Sequence, residues 1–180
     1  CTVLVVLMAV GLFVKSRPIL ETKSLSHLLF STSWFPLKGE FGFLPFIAGT
    51  LWVTGVAVII AVPLSLLTAI YLSEYAGRRM RDIAKPAIDL LAGIPSVVYG
   101  LWGVLLIVPF VKDHVAPRFD TFSSGYTVLA GGIVLAVMIF PVIIHVTIEV
   151  LATVPIELRQ ASLALGATKW QTIKHVVLRK

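Results

Sequence analysis

Charge and cysteine are what this 180-residue sequence has least of. Its single cysteine, Cys1, excludes an internal disulfide and a thiolate metal cage. The four histidines, His27, His114, His145 and His175, stand far apart on different segments, so metal-ligand spacing is missing too. There is no G-x-x-x-x-G-K-S/T phosphate loop and no G-x-S-x-G nucleophile elbow. Whatever energy source the protein uses, no recognisable site in this chain binds it, and no cofactor or metal is expected here. Only 13% of the residues are charged, against roughly 25% in a soluble domain. A water-soluble globule is thereby excluded.

What remains is apolar. Hydrophobic residues make up 58% of the chain and the mean hydropathy is +0.97, so the expected solvent is lipid. A bilayer span needs about 20 mostly apolar residues. Three stretches qualify: Phe46–Leu72, Ala87–Val111 and Tyr126–Val150. A fourth, Thr2–Val14, is about half a span. The expectation is an all-α polytopic transmembrane helix bundle. Residues 1–14 would be a truncated first helix, 15–45 a periplasmic loop and 46–180 a partial transmembrane domain. Cys1 does not read as a lipidated cysteine, because the apolar TVLVVLMAVGLFV follows it instead of a polar tether. Nor does a small-residue cleavage site separate Val14 from Lys15 and Arg17, as a signal peptide would require.

Orientation follows from the lysines and arginines of the connections. Arg78, Arg79, Arg81 and Lys85 lie in one, and Arg159, Lys169, Lys174, Arg179 and Lys180 follow the last span. Both segments are expected in the cytoplasm. The net charge of +6 then needs no nucleic acid to explain it.

Lipid gives helices no hydrophobic drive to associate, so spans pack through small residues. In the second span Thr50, Thr54, Ala57, Ala61, Ser65 and Thr68 share one face, and in the third Gly93, Ser96, Gly100 and Gly103 do. Pro95 has no amide hydrogen and crowds the carbonyl of Leu91, which predicts a kink. Pro63 and Pro141 repeat the pattern in the second and fourth spans. These residues suit either static packing or a bundle that opens around a polar path. The fourth span aligns Thr127, Gly131, Pro141, His145 and Glu149 on one face, with the last two spaced to pair.

The stretch VPIELRQASLALGATKWQTIKHVVLRK, residues 154–180, reads as two short helices about a turn at Gly166–Ala167. Leu158, Ala161 and Leu165 share one side of the first, and Gly166 suits a left-handed C-terminal cap. Thr168 and Gln171 form a T-x-x-Q capping box for the second. Trp170, Ile173 and Val177 then make an apolar stripe among basic residues. Such an element either lies on anionic headgroups or docks a cytoplasmic partner.

The same stretch resembles the cytoplasmic signature of ABC importer membrane subunits, E-A-A-x3-G-x9-I-x-L-P. Gln160, Ala161, Ser162, Gly166, Val176 and Leu178 stand in register with it, while Gln replaces Glu, Ser the second Ala, Val the Ile, and Arg179 the final Pro. The resemblance implies a MetI-like permease whose coupling helix sits on a separate ATP-binding subunit. SWFPLKGEFGFLPFIAGTL, LLAGIPSVVYGLWG and LRQASLALGATKWQTIKHVVL resemble the phosphate-importing, PstC-type permeases more narrowly. That likeness implies an inner-membrane translocation subunit for inorganic phosphate, not an enzyme. It also implies a second permease subunit, a periplasmic phosphate-binding protein and an ATP-binding subunit as partners. About two further spans would follow, and they would include a helix whose Arg and Glu the family uses in transport. No substrate-contacting residue carries over. The alternatives are a permease for sulfate or molybdate, a membrane enzyme using His145 and Glu149, and a structural scaffold.

Overall fold

The computed structural model describes residues 2–22 and 24–178. Cys1, Lys23, Arg179 and Lys180, and with Arg179 the last position of the coupling signature, lie outside the described residues. The chain divides into two compact units, Cys1–Leu51 and Trp52–Lys180. Among the described residues the fold is all-α, and the single extended pairing is an isolated bridge between Phe35 and Glu40.

In the first unit, helix α1 covers Thr2–Thr22 and α2 covers Leu25–Phe30. α1 thus continues beyond Val14 into the stretch expected to be loop. Lys15, Ser16 and Arg17 are adequate helix formers, and Pro18 deletes one amide without ending the helix. Beyond α2, Trp34 packs against Phe41, Phe43 and Phe46 at centroid distances of 6.0, 5.7 and 4.8 Å. Gly42 makes this cluster possible, since a Cβ there would fall 2.3 Å from the Ser31 carbonyl oxygen.

Helix α3, Leu44–Ile70, widens at its end into a π turn, Tyr71–Tyr75. Helix α4 is Arg78–Ala92, and α5 runs through Ser96–Phe119. Helix α6 is Val128–Ala152, and α7 is Ile156–Ala164. The short α8, Lys169–Thr172, widens into a π turn at Ile173–Val177. Among the described residues, three helices, Leu44–Tyr75, Ser96–Phe119 and Val128–Ala152, are long and apolar enough to cross a membrane.

The expected third span is corrected here. A single helix over Ala87–Val111, kinked at Pro95, is not what forms. α4 stops at Ala92, the chain turns through Gly93–Ile94–Pro95, and α5 starts afresh at Ser96. Proline disfavours helical backbone in the residue before it, so Ile94 leaves the helix. The Gly93 amide closes the last turn of α4 on the Asp89 and Leu90 carbonyls, at 3.0 and 3.2 Å. Two prolines loosen α5 further on. Pro109 and Pro117 lack amides, and before each the ladder widens to i→i−5 bonds, over Gly103–Ile107 and Val111–Val115.

The core of the second unit is the seam of α3 against α6. Ala57 and Ala61 meet Ala136 near its middle. Ala69, Leu72 and Ala76 surround Ile144 further along. At the basic end, Ile70, Leu151, Val154, Ile173 and Val177 close it. Ser65 is fully buried in this seam and donates to the Phe140 carbonyl at 3.4 Å.

Candidate coupling site and packing faces

The basic end of the second unit is built by local hydrogen-bond accounting. Every helix leaves carbonyls unpaired at its C-terminus and amides unpaired at its N-terminus. At the end of α7, the Gly166 amide donates to Leu163 at 3.0 Å and the Ala167 amide to Ser162 at 3.3 Å. That is the Schellman pattern, and it requires Gly166 in the left-handed region, where its φ is +82°. At the start of α8, the Gln171 amide donates to Thr168 Oγ1 at 3.3 Å and the Thr168 amide to Gln171 Oε1 at 2.8 Å. The expected turn and capping box are thus both present.

This helix–turn–helix is bonded inward and turns a mixed polar and apolar surface outward. Ser162 Oγ lies 3.0 Å from Oγ1 of the buried Thr172, which ties the two short helices together. Gln160 and Ala161 are exposed, Val176 is half-buried and Leu178 is exposed. No residue of α7 is buried, and Leu165 is 88% exposed. The predicted stripe of Trp170, Ile173 and Val177 is split. Ile173 and Val177 enter the core, whereas Trp170 stays half exposed. A π turn advances less per residue than an α turn, so α periodicity fails beyond Thr172.

Sequence reasoning missed how this element is attached. The guanidinium of Arg159 in α7 pairs with the Glu74 carboxylate in the π turn that ends α3. Its second terminal nitrogen donates to the Leu151 carbonyl at 2.6 Å. Lys169 Nζ sits 4.7 Å from the centre of the Tyr75 ring, and Arg81 donates to the Ser73 carbonyl. The two basic segments therefore meet at one end of the unit. No signal links Arg159 to Glu74 in the sequence, because 85 positions separate them.

The small-residue faces divide into packed and open parts. On α3, Ala57, Ala61 and Ser65 are buried against α6, while Thr50 and Thr54 are exposed and Thr68 is half-buried. Thr50 and Thr68 return their hydroxyls to the Phe46 and Leu64 carbonyls one turn back. On α5, Gly103 is buried, and a Cβ there would fall 2.4 Å from Val134 Cγ2 of α6. Gly100 meets nothing within 4 Å, so close helix approach belongs to Gly103 and not to Gly100. Gly93 and Pro95 lie in the connection before α5 and do not share a helix face with Ser96. A largely apolar cleft of about 430 Å³ remains, lined by Ser96, Tyr99, Gly100, Gly103, Thr127 and Gly131 among others. Pro63 is exposed on α3, and Pro141 is fully buried on α6.

Tyr99 was not singled out by its sequence context, yet it adds a bond across the break at Pro95. The buried Tyr99 donates its hydroxyl to the Leu91 carbonyl at 2.7 Å, the oxygen that an amide at position 95 would have bonded. The Ile94 amide donates to the same carbonyl at 3.2 Å, so the Tyr99 hydroxyl is a second bond to that oxygen and ties α5 back to the end of α4. His145 pairs with Glu149 at 3.2 Å as its spacing predicts, and with Asp89 of α4 at 3.4 Å. All three side chains are more than half exposed. No group of three or more such residues among the described ones has metal-binding geometry.

Residues 61–180 match the family model "Binding-protein-dependent transport system inner membrane component". The chain belongs to that family. The match begins inside α3 and includes all of residues 154–180. Relatives include the probable ABC transporter permease protein YqgH of Bacillus subtilis (strain 168), 42% identical over 154 residues, which cover 84% of this chain and 48% of the relative. The phosphate transport system permease protein PstC of Xylella fastidiosa (strain 9a5c) is 37% identical over 176 residues, covering 90% and 54%. PstC 1 of Mycobacterium tuberculosis is 37% identical over 158 residues, covering 79% and 46%. No solved structure matches the chain. The chain spans about half the length of these relatives. The family is one of transport components and not of enzymes, and its members belong to the inner membrane, where three apolar helices suit this chain.

Proposed function

We propose that this chain is part of the membrane permease of an ATP-driven importer of inorganic phosphate, with residues 154–178 as its coupling segment. The observation that carries the reading is the exposed helix–turn–helix itself. Gly166, Thr168 and Gln171 fix its shape, and its free apolar side chains are available to a partner. Phosphate as the cargo is supported by the names of the PstC relatives and by the resemblance of the SVVYGLWG segment to PstC-type permeases. On this reading ATP is hydrolysed on a cytoplasmic subunit. A second permease subunit completes the path, and a periplasmic phosphate-binding protein delivers the ion. ATP-driven movement of the coupling segment switches the α3–α6 bundle between outward and inward access.

The test is uptake. The full-length protein, expressed with its neighbouring subunits in cells lacking high-affinity phosphate import, should restore growth and ³²P uptake at micromolar phosphate. Restoration of sulfate or molybdate uptake instead would transfer the same architecture to another oxyanion.

Orientation is a separate expectation. The segment carrying Arg79 and the one carrying Lys169 meet at one end of the unit, through Arg159–Glu74 and Lys169–Tyr75. The positive-inside bias assigns that end to the cytoplasm. Single cysteines replacing Arg79 and Lys169 should resist an impermeant thiol reagent in intact cells, whereas one replacing Asp120 should react. Equal labelling of all three would refute the orientation.

A further inference from the structure

We propose that Arg159 and Glu74 form a strut that makes the coupling segment and the end of α3 move as one body. The inference rests on the importer reading and concerns how force passes within this chain. Its basis is a convergence of three cations on five residues. Arg159 of α7 holds the Glu74 carboxylate, Lys169 of α8 covers the Tyr75 ring, and Arg81 of α4 takes the Ser73 carbonyl. All three targets lie in the Tyr71–Tyr75 π turn, where the α3 ladder has widened to i→i−5 bonds.

Arg159 is the central member because it makes two attachments. One nitrogen reaches Glu74 and the other the Leu151 carbonyl, so one side chain ties α7 to the ends of both α3 and α6. The pair is shielded, with side chains 20% and 10% exposed, so water competes poorly for either charge. Beneath it, Ile70, Leu151 and Val154 pack with Ile173 and Val177 of the second π turn. That apolar contact is non-directional and permits sliding. A charge-assisted bond between a forked guanidinium and a carboxylate fixes direction as well as distance. A load on the exposed side chains of α7 would pass through Arg159 to α3 without being lost in the turn at Thr153–Pro155. Arg159 and Glu74 are thus positioning residues, distinct from whatever residues contact the cargo.

The experiment uses the full-length permease assembled with its partner subunits in proteoliposomes. Arg159→Gln and Glu74→Gln are compared with the exchange Glu74→Arg plus Arg159→Glu. Each single change should leave the ATP-binding subunit co-purifying at wild-type yield while phosphate moved per ATP hydrolysed falls at least about fivefold. The exchange should recover about half of the ratio, not all, because a carboxylate at 159 has no proton to give the Leu151 carbonyl. Spin labels at the exposed positions Leu67 and Leu165 read the strut directly. Their distance distribution should be narrow in wild type, broad in both single variants, and narrow again in the exchange. An unchanged transport-to-hydrolysis ratio in the single variants, or label distances that do not broaden, would overturn the strut. A wild-type complex that hydrolyses ATP without moving phosphate would refute the phosphate reading alone, and the label distances would still decide the strut.

Discussion

Gly132→Leu should abolish assembly of the helix bundle, and Gly132→Ala should already weaken it. A Cβ at this position would lie 2.4 Å from Val56 Cγ1 and 2.7 Å from Val56 Cβ. The first contact is a methyl group, but the second cannot rotate away, because a Cβ moves only with its backbone. The seam between α3 and α6 must therefore open at its centre, beside the Ala57–Ala61–Ala136 cluster. Overpacking costs roughly 1–3 kcal/mol for small additions, against about 1 kcal/mol gained when Ala replaces Gly within a helix. The balance is unfavourable for Ala and prohibitive for Leu. At Gly103 the clash is with Val134 Cγ2, while Val134 Cβ lies at 3.4 Å. The stiff valine must turn or shift, so Gly103→Ala should be intermediate. Gly100→Ala meets nothing within 4 Å and should keep the helix-propensity gain. Thermal unfolding of the purified permease in detergent or nanodiscs should therefore order the Ala variants as 100 above wild type, then 103, then 132. Equal midpoints at 132 and 100 would show that the seam is not as tight as the structure gives it.

The contrast between these glycines shows what a single sequence can and cannot disclose. Gly131 and Gly132 are adjacent and about 100° apart on a helix, so either is a plausible packing position. Sequence reasoning aligned Gly131 with the polar face, where a Cβ would make an ordinary 3.5 Å contact with Val53. The close approach belongs to Gly132, and only the placement of Val56 on α3 decides that. The same holds for Arg159 and Glu74, whose pairing depends on where α3 ends relative to α7. Pro95 and Gly93 were readable as irregularities, but the break that replaces the expected kink is closed by the Gly93 and Ile94 amides and bridged by Tyr99, which the spacing alone did not disclose. By contrast, the apolar lengths of α3 and α6 were legible because bilayer thickness sets them. The turn at Gly166 and the Thr168–Gln171 box were legible for a related reason. Helix-end bonds span no more than five residues, so the sequence itself contains both partners.

That locality makes Gly166→Val the sharpest test of the coupling role. The variant should remain in the membrane at near wild-type levels yet lose most ATP-driven transport. Gly166 sits at φ +82°, and nothing lies within 4 Å of where its Cβ would be. The penalty is therefore conformational and not steric crowding by neighbours. A left-handed residue with a Cβ costs roughly 1–2 kcal/mol, and β-branching makes the position harder still to occupy. The two bonds that close α7, from Gly166 to Leu163 and from Ala167 to Ser162, depend on that φ. If they open, α7 and α8 change their mutual angle, the Ser162–Thr172 contact stretches, and Leu165 and Trp170 no longer present one surface. The middle of the α3–α6 seam, at Ala57, Ala61 and Ala136, is a separate cluster from the basic end that Ile173 and Val177 close, which is why insertion should survive. A substitution series separates this account from a simple size effect. Asn tolerates the left-handed region despite its bulk, so Gly166→Asn should keep more transport than Gly166→Ala, and Gly166→Val should keep least. The measurements are co-purification with the ATP-binding subunit and transport-stimulated ATP hydrolysis in proteoliposomes. A ranking by side-chain volume, with Ala better than Asn, would mean that a partner's surface crowds position 166. Wild-type behaviour of Gly166→Val in both assays would make residues 154–178 a membrane-surface anchor and remove the mechanistic basis of the importer reading.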